Sequence, residues 1–249
     1  MGYRLVVLMG IGLFSAGLIR ASSSSAGQGL EDVSLFQSYF RDAPITSVPQ
    51  GEVGIVYRDY DRYSDFNLDV QGRYPLNPRT EVGGGIGIIS TDFEGNKGES
   101  GISDLMVVGR YCLEPGRTRI SAGGYLTLPV GEEEVGQGHL NLGFFGALRH
   151  PLDRGMVLTG ALGVDFLERG NRDDRETSLF LGGGVIYPRD DRLRLIGELT
   201  LQSDVDYMLL SGGADYRLGG GGKVRGALGV GLDDGAPDVT LSGSFLFSF

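Results

Sequence analysis

Arginines recur at the same position in a series of short segments in which apolar and polar residues alternate. Their guanidinium groups are the most prominent charged groups of this 249-residue sequence. In each segment the arginine shares its parity with polar neighbours, and parity decides which face of a strand a side chain occupies. If the segments are strands of a closed barrel, cationic side chains at one depth narrow the barrel lumen and attract anions into it. The basic residues predicted to line such a constriction are Arg73, Arg110, Arg119, Arg149, Arg194, Arg217 and Arg225, together with Lys223.

Carboxylates occupy the same face at other depths. Those predicted to lie at mid-segment or nearer the opposite end are Asp69, Asp104, Asp165 and Glu198, whereas Asp215 falls among the basic residues. Two interpretations stay open. Either these charges line a path for small anionic or amphipathic solutes, or the arginines pair with carboxylates and fill the lumen, as charged networks do in small barrels.

The two histidines do not indicate an enzyme. A Ser–His–carboxylate arrangement needs a serine beside a histidine that a third group orients, and neither His139 nor His150 stands in a local motif of that kind. The glycine run Gly83–Gly87 lacks the Lys-Ser/Thr ending of a phosphate-binding loop. We therefore expect no catalytic residue, no metal site and no cofactor.

The elements that must position these charges are strands. After residue 50, hydrophobic and polar residues alternate with a period of two, as in segment 65–74, where Phe66 and Leu68 alternate with Asn67 and Asp69. Such alternation is typical of strands with one apolar and one polar face. The predicted strands are 51–58, 65–74, 81–90, 102–113, 118–128, 138–149, 156–166, 177–187, 192–202, 206–217, 222–232 and 238–249.

The connections between these strands alternate in length. Sequences such as PLNPR and EPGR form tight turns, whereas TDFEGNKGES and LERGNRDDRE are longer and more acidic. Short turns at one end and longer polar loops at the other are typical of a membrane barrel. The predicted fold is therefore all-β, a closed antiparallel up-and-down transmembrane β-barrel of about 12 strands that spans residues 51–249.

Aromatic residues indicate that the apolar face meets lipid. Tyrosines of the apolar parity collect at the strand ends next to the tight turns, as expected for amphipathic rings at a membrane interface. The predicted girdle consists of Tyr74, Tyr111, Tyr187, Tyr216 and Phe249. Phe249 also ends the alternating stretch DVTLSGSFLFSF, which resembles the C-terminal assembly signal of bacterial outer-membrane barrels.

The first 26 residues have the pattern of an export signal. Arg4 precedes the apolar run from Leu5 to Ile19, and the small polar residues ASSSS follow before Ala26. The run is short for a membrane-spanning helix. We predict a signal peptide over residues 1–26 and localisation in the outer membrane of a Gram-negative bacterium, with an uncleaved anchor as the alternative.

Residues 27–50 separate this signal from the barrel. Val33, Phe36 and Phe40 have near-helical spacing before Pro44 ends the pattern. The segment is predicted to be either a periplasmic lead-in or a plug in the lumen, where Glu31 and Asp32 would meet the basic residues.

The charge balance restricts the partners. Without residues 1–26, which contain Arg4 and Arg20 but no acid, 20 basic and 32 acidic residues remain and the net charge is −12. Such a balance argues against nucleic acid as a partner. The expected partners are outer-membrane lipid and lipopolysaccharide, the barrel-assembly machinery and a small-molecule solute.

The central third of the chain resembles a known family. The stretches SDLMVVGRYCL, RISAGGYLTLPVGEEE and NLGFFGALRHPL, between Ser103 and Leu152, are similar to the phenol meta-pathway (MetA-type) transporter family of outer-membrane barrels. This resemblance implies a barrel that passes small, often aromatic molecules, and it implies no catalytic residues. The alternative expectation is a non-transporting structural or assembly barrel with a lumen filled by side chains.

Overall fold

The chain forms one closed antiparallel barrel. The computed structural model describes residues 33–93, 98–132, 135, 138–168 and 175–249. The strands are β1 (Gln50–Tyr60), β2 (Tyr63–Asn77), β3 (Thr80–Phe93), β4 (Glu99–Ile102), β5 (Leu105–Pro115), β6 (Arg119–Leu128), β7 (Asn141–Pro151), β8 (Val157–Glu168), β9 (Arg175–Pro188), β10 (Leu193–Gln202), β11 (Tyr207–Arg217), β12 (Lys223–Gly231) and β13 (Val239–Ser248). The predicted signal peptide lies outside the described residues.

Pairing between the first and last strands closes the sheet. β1 pairs with β2 along its whole length and with β13 from Gln50↔Ser248 to Asp59↔Val239. Every other neighbour pair is antiparallel and follows the order of the chain, apart from the short β4. The predicted closed barrel of 12 strands is confirmed, with β4 as one extra strand.

The extra strand arises from a break in the fourth predicted strand. Ser103 and Asp104 interrupt it between β4 and β5. The Gly87 N–H donates to the Ser103 side chain at 2.8 Å, and the Gly131 N–H donates to Asp104 Oδ1 at 3.1 Å. Side-chain oxygens thus replace the carbonyl acceptors of a regular ladder, which ends the pairing there.

The barrel is apolar outside and polar inside. In β10, Leu195 and Leu199 are 40% and 37% exposed, whereas Glu198 on the other face is 1% exposed. A soluble sandwich would bury the leucines and solvate the carboxylate. The described part of the chain contains no helix that is long and apolar enough to cross a bilayer.

The two ends of the barrel differ in most of their connections. One end, here called the turn end, carries tight connections and the entry to β1, and the other, the loop end, carries the longest connection, between β6 and β7. The β1–β2 connection at the loop end is an exception, because it consists only of Asp61 and Arg62. Two turn-end connections need left-handed backbone: Arg154 and Gly155 have φ of 58° and 74°, and Gly220 and Gly221 have φ of 81° and 88°. Glycine adopts this conformation without strain, which explains Gly155, Gly220 and Gly221.

Candidate solute path

Residues 33–46, here called the inner segment, lie against the lumen-facing side of the barrel wall. The segment is buried at Val33, Leu35 and Ala43, which are 1%, 2% and 0% exposed. Val33 and Leu35 pack with Val157 and Ile186 of the wall. The helical spacing of the sequence yields a single turn, closed by the Arg41 N–H on the Ser38 carbonyl at 3.0 Å. Glu31 and Asp32, predicted to meet the basic residues, lie outside the described residues.

Four of the predicted arginines bind the inner segment. Arg73 Nη1 donates to Ser34 Oγ at 3.0 Å, and Arg225 Nη2 donates to the Ser34 carbonyl at 2.5 Å. Arg149 donates to the Val33 carbonyl at 2.6 Å. Arg149 also pairs with the Asp42 carboxylate. The backbone carbonyl of Asp42 accepts a hydrogen bond from Arg110 at 2.8 Å. These guanidinium groups are therefore occupied by oxygens of the segment.

The same arginines also meet acids of the wall. Arg110 pairs with Glu81 at 2.5 Å, and both side chains are 2% exposed. Arg225 pairs with Glu52 at 3.0 Å and approaches Asp215 at 3.6 Å. Arg110, Arg149 and Arg225 are thus held by ion pairs with wall or segment carboxylates and by hydrogen bonds to carbonyl groups.

Two wall carboxylates hold the backbone of the inner segment. Glu198 accepts from the Phe36, Gln37 and Ser38 N–H groups at 2.7, 3.0 and 3.0 Å, and from Ser38 Oγ at 2.8 Å. Glu81 accepts from the Thr46 N–H at 2.8 Å and from its hydroxyl at 2.6 Å. A carboxylate across consecutive N–H groups fixes a turn as an N-cap does.

Arg41 is the single basic residue of the inner segment and lies between aromatic rings of the wall. Its Cζ lies 3.9 Å from the Phe180 ring centroid and 5.1 Å from that of Tyr125. Its Nη2 donates to both oxygens of Asp165, at 3.1 and 2.9 Å. The three wall residues Phe180, Tyr125 and Asp165 are here called the cage.

Glycines of the wall provide recesses for the inner segment. An added Cβ at Gly83 would lie 2.9 Å from the Phe40 ring, at Gly184 2.8 Å from Leu35, and at Gly213 2.7 Å from the Phe36 ring. Residues 83 to 85 and 182 to 184 are glycine triplets, so their inward members leave space that a side chain would fill. The inner segment approaches these inward glycines closely, and so does the wall itself, since the Gly197 and Gly226 carbonyl oxygens would lie still closer to an added Cβ at Gly184 and Gly213.

Two of the cavities lined by residues that the structure describes adjoin the inner segment. One of about 310 Å³ lies on the loop-end side and is lined by aromatic residues of segment and wall, including Phe40, Tyr125, Phe145, Phe180 and Tyr207. The other, of about 410 Å³, lies at the turn end between Ile45, Cys112 and Arg119. Residues of the inner segment line both cavities, one toward each end of the barrel.

Six predicted lumen residues remain, and all except Asp104 lie on the inward parity of their strands. Arg194 is 5% exposed and donates to the Asp191 carbonyl at 3.0 Å. Asp104 stands in the break between β4 and β5 rather than on a strand. The others are Asp69 in β2, Arg119 in β6, Arg217 in β11 and Lys223 in β12.

The predicted aromatic girdle residues all project outward near the turn end. Their exposed fractions are 55% for Tyr74, 45% for Tyr111, 44% for Tyr187, 42% for Tyr216 and 67% for Phe249. Phe249 follows β13, and its N–H donates to the Pro49 carbonyl at 3.1 Å. Its ring stacks on Phe247 at a centroid distance of 5.9 Å.

Neither histidine stands in a Ser–His–carboxylate arrangement among the described contacts. His139 Nδ1 lies 3.6 Å from Glu168 at the loop end. His150 Nδ1 lies 2.7 Å from the Thr118 hydroxyl at the turn end.

Sequence reasoning missed four charged residues of this network, besides the aromatic rings of the cage. Glu52 and Glu81 share the inward parity of their strands, so the parity rule could have found them. Arg41 and Asp42 carry no such signal, because the inner segment has no strand period.

Solved structures share this fold at low sequence identity. An outer membrane channel from Pseudomonas putida F1 aligns with a TM-score of 0.68 and 14% identity, covering 87% of this chain and 100% of that one. KdgM porin aligns with a TM-score of 0.56 and 12% identity, covering 80% and 99%. The CymD monoaromatic hydrocarbon channel aligns with a TM-score of 0.50 and 9% identity, covering 82% and 89%.

No family model matches the sequence, and no curated protein matches it. The class that the structure defines is thus a closed 12-stranded barrel of the outer-membrane type, with a polar lumen occupied by a segment of its own chain. At these identities the likeness establishes the fold alone.

Proposed function

We propose that this protein is an outer-membrane channel for small solutes whose lumen is closed by the inner segment. The observation that carries the proposal is the contact of Arg73, Arg110, Arg149 and Arg225 with oxygens of that segment. When the segment leaves, these guanidinium groups lose acceptors and turn toward the water of the lumen. An open lumen lined in this way attracts anions.

The solutes proposed are small anionic or amphipathic molecules, aromatic ones included. The cavity on the loop-end side of the segment has a size of about 310 Å³ and an aromatic lining, which suits a single-ring compound. The fold likeness to CymD, described as a monoaromatic hydrocarbon channel, and the resemblance to the MetA-type family support the same class. We propose no catalytic role for the barrel.

Single-channel recording on a segment-deleted protein tests this function. A variant without residues 33–46 is expected to conduct several times more current than the full chain in planar bilayers, with a preference for anions. The matched control replaces the same residues by a Gly-Ser linker of equal length, which keeps the chain length but loses the contacts. Equal conductance of all three proteins would contradict the proposal.

A structural role is the second candidate, and the occupied lumen favours it. If the segment-deleted barrel remains folded but conducts no ions and no liposome swelling occurs with benzoate or glycerol, the barrel does not transport. A non-transporting structural or assembly component then accounts for the fold.

We also propose that the barrel is exported by its signal peptide and inserted with the turn end facing the periplasm. The exposed leucines and the aromatic residues at the turn end would meet lipid, and lipopolysaccharide would surround the loop end.

Phe249, the exposed terminal ring, is proposed as the signal to the assembly machinery. A Phe249→Ala variant should reach the outer membrane in reduced yield in cells yet refold normally in detergent, and an unchanged yield would contradict this role.

A further inference from the structure

The cage already contains a cation, because Arg41 occupies it. Its guanidinium lies 3.9 Å from the Phe180 centroid, and it makes a two-oxygen contact with Asp165. Aromatic faces and a carboxylate are the groups that bind organic cations, through the ring quadrupole and an ion pair. The cage therefore has the chemistry of a cation site that is occupied by a residue of the protein itself.

Arg41 and Asp165, the two charged partners of this contact, differ in their freedom to move. Asp165 belongs to the regular strand β8 and its side chain is 1% exposed, whereas the Arg41 side chain is 17% exposed and belongs to a segment without regular structure. Arg41 also borders the cavity of about 310 Å³, into which its flexible side chain can move.

These facts decide which ligand charge the site accepts. An anion that binds Arg41 would lie beside the buried Asp165 carboxylate, and the repulsion between the two like charges makes such binding costly. A cation that displaces Arg41 would keep Asp165 paired and both rings covered, while Arg41 moves into the water of the cavity. Exchange of one cation for another leaves no buried charge unpaired.

We propose that the cage is a binding site for small organic cations, such as aromatic ammonium or guanidinium compounds, and that Arg41 occupies it until such a ligand displaces it. Displacement breaks the contact between Arg41 and Asp165, which joins the inner segment to the wall. The proposal goes beyond the proposed function, since the ligand of the cage need not be the solute that passes through the barrel.

Calorimetric titration of the detergent-solubilised full chain tests the site, with benzylammonium, benzyl alcohol and benzoate as probes of matched size and different charge. Benzylammonium should bind, whereas the other two should bind at least about tenfold more weakly, because they lack the charge that Asp165 and the rings attract. Binding of benzyl alcohol or benzoate as strong as that of benzylammonium would overturn the proposal.

Two substitutions separate the cage from a merely structural contact. Arg41→Ala removes the resident cation and should tighten benzylammonium binding by about tenfold or more, because no competitor has to leave. Asp165→Asn should abolish binding. Unchanged affinity in Arg41→Ala, or retained binding in Asp165→Asn, would each contradict the assignment.

A ring substitution supplies the matched control. Phe180→Leu should weaken binding about threefold to thirtyfold through loss of the cation–π contact, whereas Phe144→Leu, at an outward ring that is 57% exposed, should leave it unchanged. Equal losses in the two variants would show a general effect on the fold and refute the cage. Since calorimetry needs no conductance, this outcome is separate from failure of the proposed channel function.

Discussion

The turn-end half and the loop-end half of the lumen both hold the inner segment by charged groups, but they differ in burial. At the turn end, Arg110 and Glu81 are each 2% exposed and share their contacts with Thr46 and Asp42. At the loop end, Arg41 is 17% exposed and borders a cavity. The first half is a packed network, whereas Arg41 in the second can leave its partner while Glu198 still holds the backbone of residues 36–38.

This difference in burial indicates where an opening of the lumen would begin. A buried ion pair holds both partners, because loss of either leaves a charge in a medium of low dielectric constant. Arg41 is partly exposed and borders the cavity, so its guanidinium can be hydrated there, and the buried Asp165 stays paired when a ligand cation takes its place. Opening is therefore expected to start at the loop-end half and to reach the network around Arg110 later.

Neutralising a carboxylate in each half gives the largest expected contrast. Glu81→Gln leaves Arg110 buried without its counter-ion and should lower the free energy of unfolding by about 3–5 kcal/mol. Asp165→Asn leaves Arg41 free to move into the cavity and should lower it by about 1–2 kcal/mol. Chemical denaturation in detergent micelles, followed by the loss of strand circular dichroism, measures both values.

A double substitution controls for this comparison. Arg110→Met added to Glu81→Gln removes the uncompensated charge while an amide oxygen at position 81 still accepts from Thr46, and it should recover most of the stability lost in Glu81→Gln. An equal loss in Glu81→Gln and Asp165→Asn would show that the two halves bind the segment with the same strength, and the comparison would then be wrong.

The barrel itself was predictable because its period is local. In β2 the alternation of Phe66 and Leu68 with Asn67 and Asp69 fixes the two faces, whatever the strand pairs with. The inward position of Arg110 follows from the same rule. The break at Ser103 was not predictable, since it depends on hydrogen bonds to Gly87, which is 16 residues earlier in the chain.

The partners of the lumen charges could not be read from the sequence. Arg149 binds Asp42 across 107 residues, and Glu198 binds the Ser38 N–H across 160. Neither separation carries a periodic signal, because the inner segment adopts a turn and extended chain that no pattern specifies. Parity shows which side chains face the lumen, whereas the packing of the segment decides what they contact.

A smaller effect is expected at the glycines that receive the inner segment. An added Cβ at Gly182 would lie 2.7 Å from Ser38 Oγ and 2.8 Å from the Phe180 ring, whereas nothing lies within 4 Å of such an atom at the outward Gly109. Gly182→Val should therefore displace the loop-end part of the segment and lower the free energy of unfolding by about 1–3 kcal/mol. Gly109→Val only adds an apolar group toward lipid and should change it by about 0.5 kcal/mol or less.

Conductance distinguishes displacement of the segment from a general loss of stability. Gly182→Val should raise the conductance of the full chain but leave that of the segment-deleted barrel unchanged, because Ser38 is then absent and the Phe180 ring can turn away. The opposite pattern, with an effect only in the deleted barrel, would mean that Gly182 serves the wall itself. The two halves of the lumen would then differ only in the cavity at the loop end, and not in how tightly the wall holds the inner segment.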